Sequence, residues 1–428
     1  MFLCLFAHAI LAQEKKQFAS LDEVLAFSKQ KNMAFRNDAI QRNLAELTRK
    51  TAIGNVVNPR VPTSFQLIDN THLQANFIPA EIFGGPAGTF REVAFGQKYV
   101  STLSIQPQFD LVNLAAFEQI KSAKINVALV ENQQKIAEQR LYDQLNAVYF
   151  NILSFQGQMI IVKENIAIAE KIKVIVANKF KEGIARKQDL NEAEVNVILL
   201  QDKLSQLEQG MRIQVQSLAL FFENTVAPSL VQSVWDFEKT NPSAETNNHL
   251  TAQNYDLQLK MAAQDLKIAK YQQLPTLGFV SSLNWQNNSN SGFYSQNSNS
   301  VRGSYLGLRL NWDLPTNVQK LSTAQSKALA YETLRNNAEH AKNENDTKNN
   351  QLILEYQKAV SQLGNQQKIV VLKEDTYQKN YNQFTENILG LDKLLISQND
   401  LLNSKLTIVA TLATIGFNKH KIEINNKF

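Results

Sequence analysis

Ile105-Gln106-Pro107-Gln108-Phe109-Asp110-Leu111 and Leu308-Arg309-Leu310-Asn311-Trp312-Asp313-Leu314 decide the fold. Each alternates apolar and polar residues, ends in aromatic-Asp-Leu, and lies 203 residues from the other. Such alternation puts every second side chain on one face of a strand. A second pair, Phe180-Lys181-Glu182-Gly183-Ile184 and Phe384-Thr385-Glu386-Asn387-Ile388, is offset by 204. Gly and Asn are the residues that most readily take the left-handed conformation ending a helix. Two independent matches with nearly one spacing point to a duplicated chain. Each half reads as helix, β-hairpin, long helix, turn, helix.

Outward from these stretches, the first half predicts a helix from Leu21 to about Asn55, stopped by Pro59 and Pro62. Strands follow at 61–71 and 99–109. In the second of these, Tyr99, Leu103, Ile105 and Phe109 share one face, and Thr102, Ser104, Gln106 and Gln108 the other. Pro275 plays the stopping role in the second half. There Leu277, Phe279, Leu283 and Trp285 oppose Gly278, Ser282, Asn284 and Gln286. The return strand sets Leu306, Leu308, Leu310 and Trp312 against Tyr305, Gly307, Arg309 and Asn311. About ten residues per strand is what a tilted strand needs to cross a bilayer. The expected lipid face is therefore Leu103, Ile105, Phe109, Phe279, Leu283, Trp285, Leu308, Leu310 and Trp312. Phe90, Phe95, Tyr99, Trp285 and Trp312 are candidates for aromatic girdles. The tips, 72–98 with Phe83-Gly84-Gly85-Pro86 and the Asn/Ser/Gln-rich 287–300, are expected as solvated loops.

Asp110 to Phe180 holds no proline, and Asp313 to Phe384 has only Pro315 near its start. Each stretch would form a helix of roughly 105 Å. Leu141, Leu145, Val148, Ile152, Phe155, Met159, Val162 and Ile166 alternate steps of four and three. Leu190, Ala193, Val197, Leu200, Leu204, Leu207 and Met211 do the same, and Leu394, Leu401, Ile408 and Ile415 recur at seven. This is the rhythm of helices packed along a left-handed seam. Leu352, Tyr356, Ala359 and Leu363 keep it until Gln366. Glu339 to Asn350 is almost wholly polar, as either a wet inner wall or an exposed face.

The chain has 428 residues, 44% apolar and 19% charged, with Lys+Arg 44 against Asp+Glu 39. A net charge of +5 spread over this length is no nucleic-acid footprint. Gly 15 and Pro 9 argue against a turn-rich sandwich and against Pro-rich disorder. No apolar run reaches 18 residues, so no helix is expected to span a bilayer. Phe2 to Ala12 reads as the apolar core of a secretory signal cleaved after Ala12; it lacks a positive n-region, which points to a start further upstream. Cys4, the single cysteine, lies inside it. Among His8, His72, His249, His340 and His420, no two lie within five residues, so no local metal-ligand spacing exists. No Gly-x-Ser-x-Gly elbow occurs, and Glu192 and Glu194 do not share a helix face. The sequence predicts no enzyme, cofactor or metal.

Four strands leave open edges, which a bilayer forbids; copies from several chains could close a barrel together. The stretch Phe180-Lys181-Glu182-Gly183 with Asp189-Leu190 and Glu192-Ala193-Glu194 resembles the first-repeat turn of the TolC family of bacterial outer-membrane efflux proteins, the outer membrane factors. Phe384, Asn387, Leu394-Leu395 and Gln398 fall on the same pattern in the second repeat. The resemblance runs from about Phe18 to Ile424. It implies a mainly α fold with a β-barrel, built as a homotrimer. Twelve strands from three chains would form the barrel in the outer membrane, continued by an α-helical tunnel in the periplasm. The helical turns would close the tunnel and receive a periplasmic adaptor (membrane fusion) protein and an inner-membrane pump. The implied function is the passive export duct of a tripartite efflux or type I secretion system.

Carried over by position, Phe180, Glu182, Gly183, Ile184, Phe384, Asn387, Ile388 and Leu389 would contact the adaptor. Asp189, Arg186, Lys187, Asp392 and Lys393 would form the aperture. Here the family often has Gly where Asn387 stands and Asp where Lys393 and Ile396 stand. A gate of mixed charge is therefore expected, with Asp189 pairing to Lys393 or to a basic residue on the next chain. The expected segments are a signal peptide over 1–12, a first repeat over 13–222, an inter-repeat segment over 223–246 and a second repeat over 247–424. The first repeat holds a hairpin at 59–109, a long helix at 110–180 and a helix at 187–222. The second holds a hairpin at 275–312, a long helix at 315–384 and a helix at 391–417. A periplasmic coiled-coil adaptor or scaffold without its own pore is the alternative, but it would need no membrane strands.

Overall fold

A computed structural model describes residues 14–238, 249–314 and 318–428. The signal-like segment 1–12 with Cys4 and His8, residues 239–246 of the inter-repeat segment, and Pro315 lie outside the described residues. The chain opens with β1 (Glu14–Phe18) and α1 (Leu21–Lys31). Ser20 caps α1: its hydroxyl accepts from the Glu23 amide at 3.4 Å, and the Glu23 carboxylate accepts from the Ala19 amide at 2.8 Å. α2 (Met33–Val57) follows after a break at Asn32, where φ is −67° and ψ 132°. The single helix expected from Leu21 is thus two. Asn32 explains the break: its Oδ1 accepts from the Ala34 amide at 2.9 Å and its Nδ2 donates to the Phe221 carbonyl at 3.2 Å.

The strands β2 (Thr63–Asp69), β3 (Ala75–Pro79), β4 (Phe90–Ala94), β5 (Tyr99–Ile105) and β6 (Gln108–Val112) come next. Then follow α3 (Leu114–Lys181), α4 (Lys187–Leu220), β7 (Val226–Leu230), α5 (Leu250–Tyr271), β8 (Thr276–Ser289), β9 (Asn299–Asn311), α6 (Val318–Thr385) and α7 (Leu391–Lys427). Both α3 and α6 have 68 residues. α3 starts later than expected because Asp110 and Leu111 stay in β6. α7 runs past the expected end at 417, carried by the buried Ile422, Ile424 and Asn425. No helix among the described residues is long and apolar enough to cross a membrane.

The chain folds as two units. The first takes the N-terminal stretch to Gln41, Val130–Tyr255 and Ala338–Phe428. Its core is the expected seam. Leu145, Ile152 and Val162 are buried, as are Ala193, Val197, Leu200, Leu207, Leu394, Leu401, Ile408 and Ile415. Gly416 allows close packing here, since a Cβ on it would sit 2.1 Å from a Phe150 ring carbon. The polar stretch Glu339–Asn350 is exposed except at every fourth residue. Ala341, Asn345 and Asn349, spaced by four, turn inward. Asn345 meets the His249 ring at 3.3 Å, and Asn349 accepts from Asn425 at 3.0 Å. Pairing buried amides in this way avoids the cost of burying them unsatisfied. β1 and β7 pair in parallel, Phe18 opposite Leu230, and both residues are buried.

The second unit takes Arg42–Leu129 and Asp256–Asn337. Its sheet runs β2, β5–β6, β8, β9, every pair antiparallel. β5 and β6 are one strand interrupted at Pro107, since both keep a single register against β8. Proline has no amide to donate, but its carbonyl still accepts from the Ser281 amide at 2.8 Å. Below the sheet, Glu118 accepts from Lys121 and Lys267, each at 2.9 Å, and Lys327 meets Asp265 at 3.0 Å.

Both expected tip loops are shorter than their sequence suggested. β8 and β9 carry the ladder to Asn288 opposite Asn299, so 287–289 and 299–300 are strand. Asn287 donates to the hydroxyls of Ser298 and Ser300. Residues 72–98 hold a second hairpin, β3 paired to β4. Gly84 turns it at φ 78°, and Glu81 accepts from the Gly88 amide at 2.8 Å. Phe90 and Phe95 belong to this hairpin and its exit, so neither sits in a sheet girdle.

Candidate functional site

Two features in separate units carry functional chemistry: the paired helical turns and the sheet. In the first turn the Gly183 amide donates to the Phe180 carbonyl, and the Ile184 and Ala185 amides to the Lys179 carbonyl. In the second, Asn387 donates to Phe384, and Ile388 and Leu389 to Gln383. The two patterns coincide at the sequence offset of 204. Gly183 has φ 74° and Asn387 φ 64°. Asparagine thus fills the left-handed position that the sequence assigned to it.

The turns display Ile184 and Ile388, 55% and 70% exposed, with Phe180, Glu182, Gly183 and Asn387 also at the surface. Phe384 departs from this set. It is 6% exposed and packs with Ile172, Val176, Tyr377, Leu391 and Leu394. It serves the core rather than an adaptor-facing surface, and Leu389 packs partly against the same cluster. Burial pushes the Tyr377 phenol there up to about 12.

Asp189 is held within its own turn. Its carboxylate accepts from the Arg186 amide at 2.8 Å and from the Arg186 guanidinium at 3.0 and 3.3 Å. These bonds to the charged form hold its carboxyl below the ordinary range. The amide contact is the carboxylate half of a capping box; arginine, which has no acceptor, cannot supply the other half. Within one chain, Arg186 rather than Lys393 is the partner of Asp189. Arg186, Asp189 and Asp392 line a common cleft of about 300 Å³ with Glu192, while Lys187 and Lys393 are exposed beside it.

Sequence reading missed Lys179. Its Nζ donates to the Phe384 carbonyl and lies 4.1 Å from the centre of the Phe384 ring. It ties the first turn to the second and places a cation at the C-terminal end of α6. Burial draws its pKa down against the pull of Glu182. A second missed link joins Asn196 to Gln398 at 3.2 Å, both buried. Lysine in the last turn of a helix was a legible signal; the long-range partner was not.

The sheet gathers the expected lipid face on one side. Phe65, Leu103 and Trp285 are opposite one another, as are Phe109, Phe279 and Leu308. Ile105 faces Leu283, and Leu277 faces Leu310. Phe109 and Phe279 stack with centroids 4.9 Å apart. Trp312 follows β9 in the same phase, and its indole N–H donates to the Gln273 carbonyl at 3.1 Å. The other face carries Gln66, Thr102 and Gln286, then Ser64, Ser104, Asn284 and Gly303, with Ile68, Val100, Val280, Val301 and Tyr305 as its apolar members. Leu306, Leu308 and Leu310 are 77%, 68% and 65% exposed. Among the described residues β2 pairs only with β5, apart from one bridge from Arg60 to Gln108, and β9 only with β8. The sheet therefore ends on two open edges. No group of three or more metal-ligating side chains occurs among the described residues.

No family model and no curated protein sequence matches the chain. Solved structures do. The outer membrane protein VceC of Vibrio cholerae matches with a TM-score of 0.74 at 11% identity, over 95% of this chain and 96% of its own. The CmeC outer membrane channel of Campylobacter jejuni gives 0.76 at 11% identity, over 95% and 85%. CusC, whose structures concern folding and transmembrane channel formation, gives 0.75 at 11% identity, over 95% and 91%. Identity this low with coverage this complete establishes a shared fold, the one that the turn motifs implied.

Proposed function

We propose that the chain is one subunit of an export duct in a bacterial outer membrane. Three copies close a twelve-stranded barrel, and their long helices form a periplasmic tunnel. The equal lengths of α3 and α6 and the matched turns support descent by duplication. The carrying observation is the sheet: its apolar face is exposed or half-exposed, its opposite face is mostly polar, and both edges are unpaired among the described residues. A sheet in water buries its apolar face against a second layer. One that displays it, with nothing to cover it, suits hydrocarbon outside and water inside. Closure by further copies satisfies the edges, which lipid would otherwise leave unbonded. A soluble adaptor has no use for such a sheet.

The duct acts by geometry: solute passes through water without entering lipid, and an inner-membrane pump supplies the energy. The turns at Gly183 and Asn387 form the closed inner end. Ile184 and Ile388, with Phe180, Glu182, Asn387 and Leu389, are the surface for a periplasmic adaptor. Lys179–Phe384 ties the two turns of each chain together and Asp189–Arg186 fixes the start of α4, while Lys187, Asp392 and Lys393 ring the aperture. No catalytic step is required.

Fractionation of cell envelopes and planar-bilayer recording test this reading. The expected outcome is an SDS-resistant oligomer in the outer-membrane fraction that conducts ions. A water-soluble monomer released by osmotic shock, with no conductance, overturns it.

A further inference from the structure

The hairpin β3–β4 is well built yet buries almost nothing. Its strands pair Phe77 with Glu92 and Pro79 with Phe90, and these four lie on one face. Phe77 is 70% exposed and Phe90 66%. Ile82 and Phe83, in the short turn between the strands, are also exposed, as is Phe95 at the exit. The hairpin stands at the tip end of the sheet. There the apolar face runs out into Ser101, Asn287 and Ser300. So these aromatics lie beyond the band suited to hydrocarbon. A contiguous apolar patch held in water by a defined turn is a contact surface.

We infer that this hairpin clasps the tip of the β8–β9 hairpin on a second copy of the chain. The proposal rests on the ring closure above. Continuity names the occupant. The hairpin continues directly from β2, one of the two open edges, and the Asn70 amide extends that ladder to the Lys98 carbonyl at 2.7 Å. On its other side the tip is already served by its own chain. Lys98 donates its amide to Asn290 at 3.0 Å, and Tyr99 meets Phe293 edge-on at 5.0 Å. The vacant side is the one where a neighbouring β9 would lie in a closed ring. That neighbour brings Tyr294, 61% exposed, and Val301, 56% exposed. Charge agrees: β2 ends in Asp69 and the hairpin face carries Glu92, whereas the tip half of β9 carries Arg302. Antiparallel closure brings the end of β2 to the start of β9, so these charges meet with opposite sign.

Disulfide trapping in a Cys4→Ser background tests the clasp. Phe77→Cys, Phe83→Cys and Phe90→Cys are each combined with Tyr294→Cys, oxidised in cell envelopes and run on non-reducing gels. At least one pair is expected to give a ladder of linked chains. Ring closure is read separately, from Gln66→Cys combined in turn with Val301→Cys, Gly303→Cys and Tyr305→Cys. A ladder from an edge pair with none from the hairpin pairs overturns the clasp and leaves the ring standing. Ladders from neither set overturn both. Spin labels at position 90 that are quenched by lipid-borne reagents would assign the hairpin to the membrane surface, again overturning the clasp. A variant without thiols gives a second reading. Phe77→Ser/Phe90→Ser is expected to assemble but to lose its SDS-resistant oligomer at a lower temperature than the unaltered protein. An unchanged temperature counts against the clasp.

Discussion

The sheet and the helical body around Tyr149 spend the same residue types in opposite ways. In the body, Leu145, Tyr149 and Leu153 are all 0% exposed. In the sheet, leucines at 306, 308 and 310 are among the most exposed side chains of the protein. Both patterns come from plain periodicity, seven in the helices and two in the strands. Periodicity reports that a face is apolar but not what covers it. That depends on whether another layer of the same chain is present. The body has one; the sheet has none. The difference teaches that the same apolar periodicity can end in a covered face or an uncovered one.

Five changes would break or sharpen this contrast. Leu153→Ala empties a fully buried site and is expected to cost about 2–5 kcal/mol, seen as a lower apparent Tm by circular dichroism. Leu308→Arg should leave the helical signal alone. Its penalty of about 2–4 kcal/mol should appear only as failed membrane incorporation. If Leu308→Arg melts the helices as Leu153→Ala does, the exposed face is a core and the contrast fails.

Asp143, in α3 within the body, gives a smaller effect. Burial pushes its carboxyl up to about 6 against the pull of Lys421. A raised carboxyl stabilises the fold in acid, and that contribution is lost as pH rises from 3.8 through about 6. Asp143→Asn should therefore gain on the order of 1–2 kcal/mol at neutral pH, after discounting for its partial exposure, and nothing at acid pH. A Tm difference between variant and parent that is the same in acid and neutral buffer would contradict this. The smallest effects concern the turns. Gly183→Ala should cost about 1 kcal/mol at a left-handed position, whereas Asn387→Gly should shift stability by less than about 0.5 kcal/mol. Equal losses from both would mean that the turns do not share their conformation.

Much of this was legible before any coordinates. The heptad residues of α3, α4 and α7 pointed inward as their spacing required, and Pro59, Pro62 and Pro275 fell where helices gave way to strands. Asn387 was recognisable as a helix terminator because few other residues tolerate its φ. The missed elements have two causes: distant partners and turn-like composition. β1 and β7 are short, and parallel pairing leaves no turn signature between them. β3 and β4 were hidden by the glycines and prolines around them, which read as loop. Inside the turns, Asp189 was singled out but assigned to Lys393 or to a basic residue on the next chain. Its nearer neighbour Arg186, three residues away on the same helical start, already satisfies it. Lys179 escaped notice because Phe384 lies more than two hundred residues further along. Within the polar stretch of α6, Asn345 and Asn349 are buried beside amide or imidazole partners that composition does not reveal.

The strand order has an arithmetic consequence. β2 and β9, the outermost members, run in opposite directions, because the four strands follow one another in strict up-and-down sequence. A strip of this kind joins to its own duplicate with an antiparallel seam every time, and the total is even for any number of subunits. Hydrogen bonding along the wall is thus indifferent to whether two, three or four chains complete the circle. In the proposed duct, the number of chains would then have to be set by how neighbouring long helices pack, not by the ring.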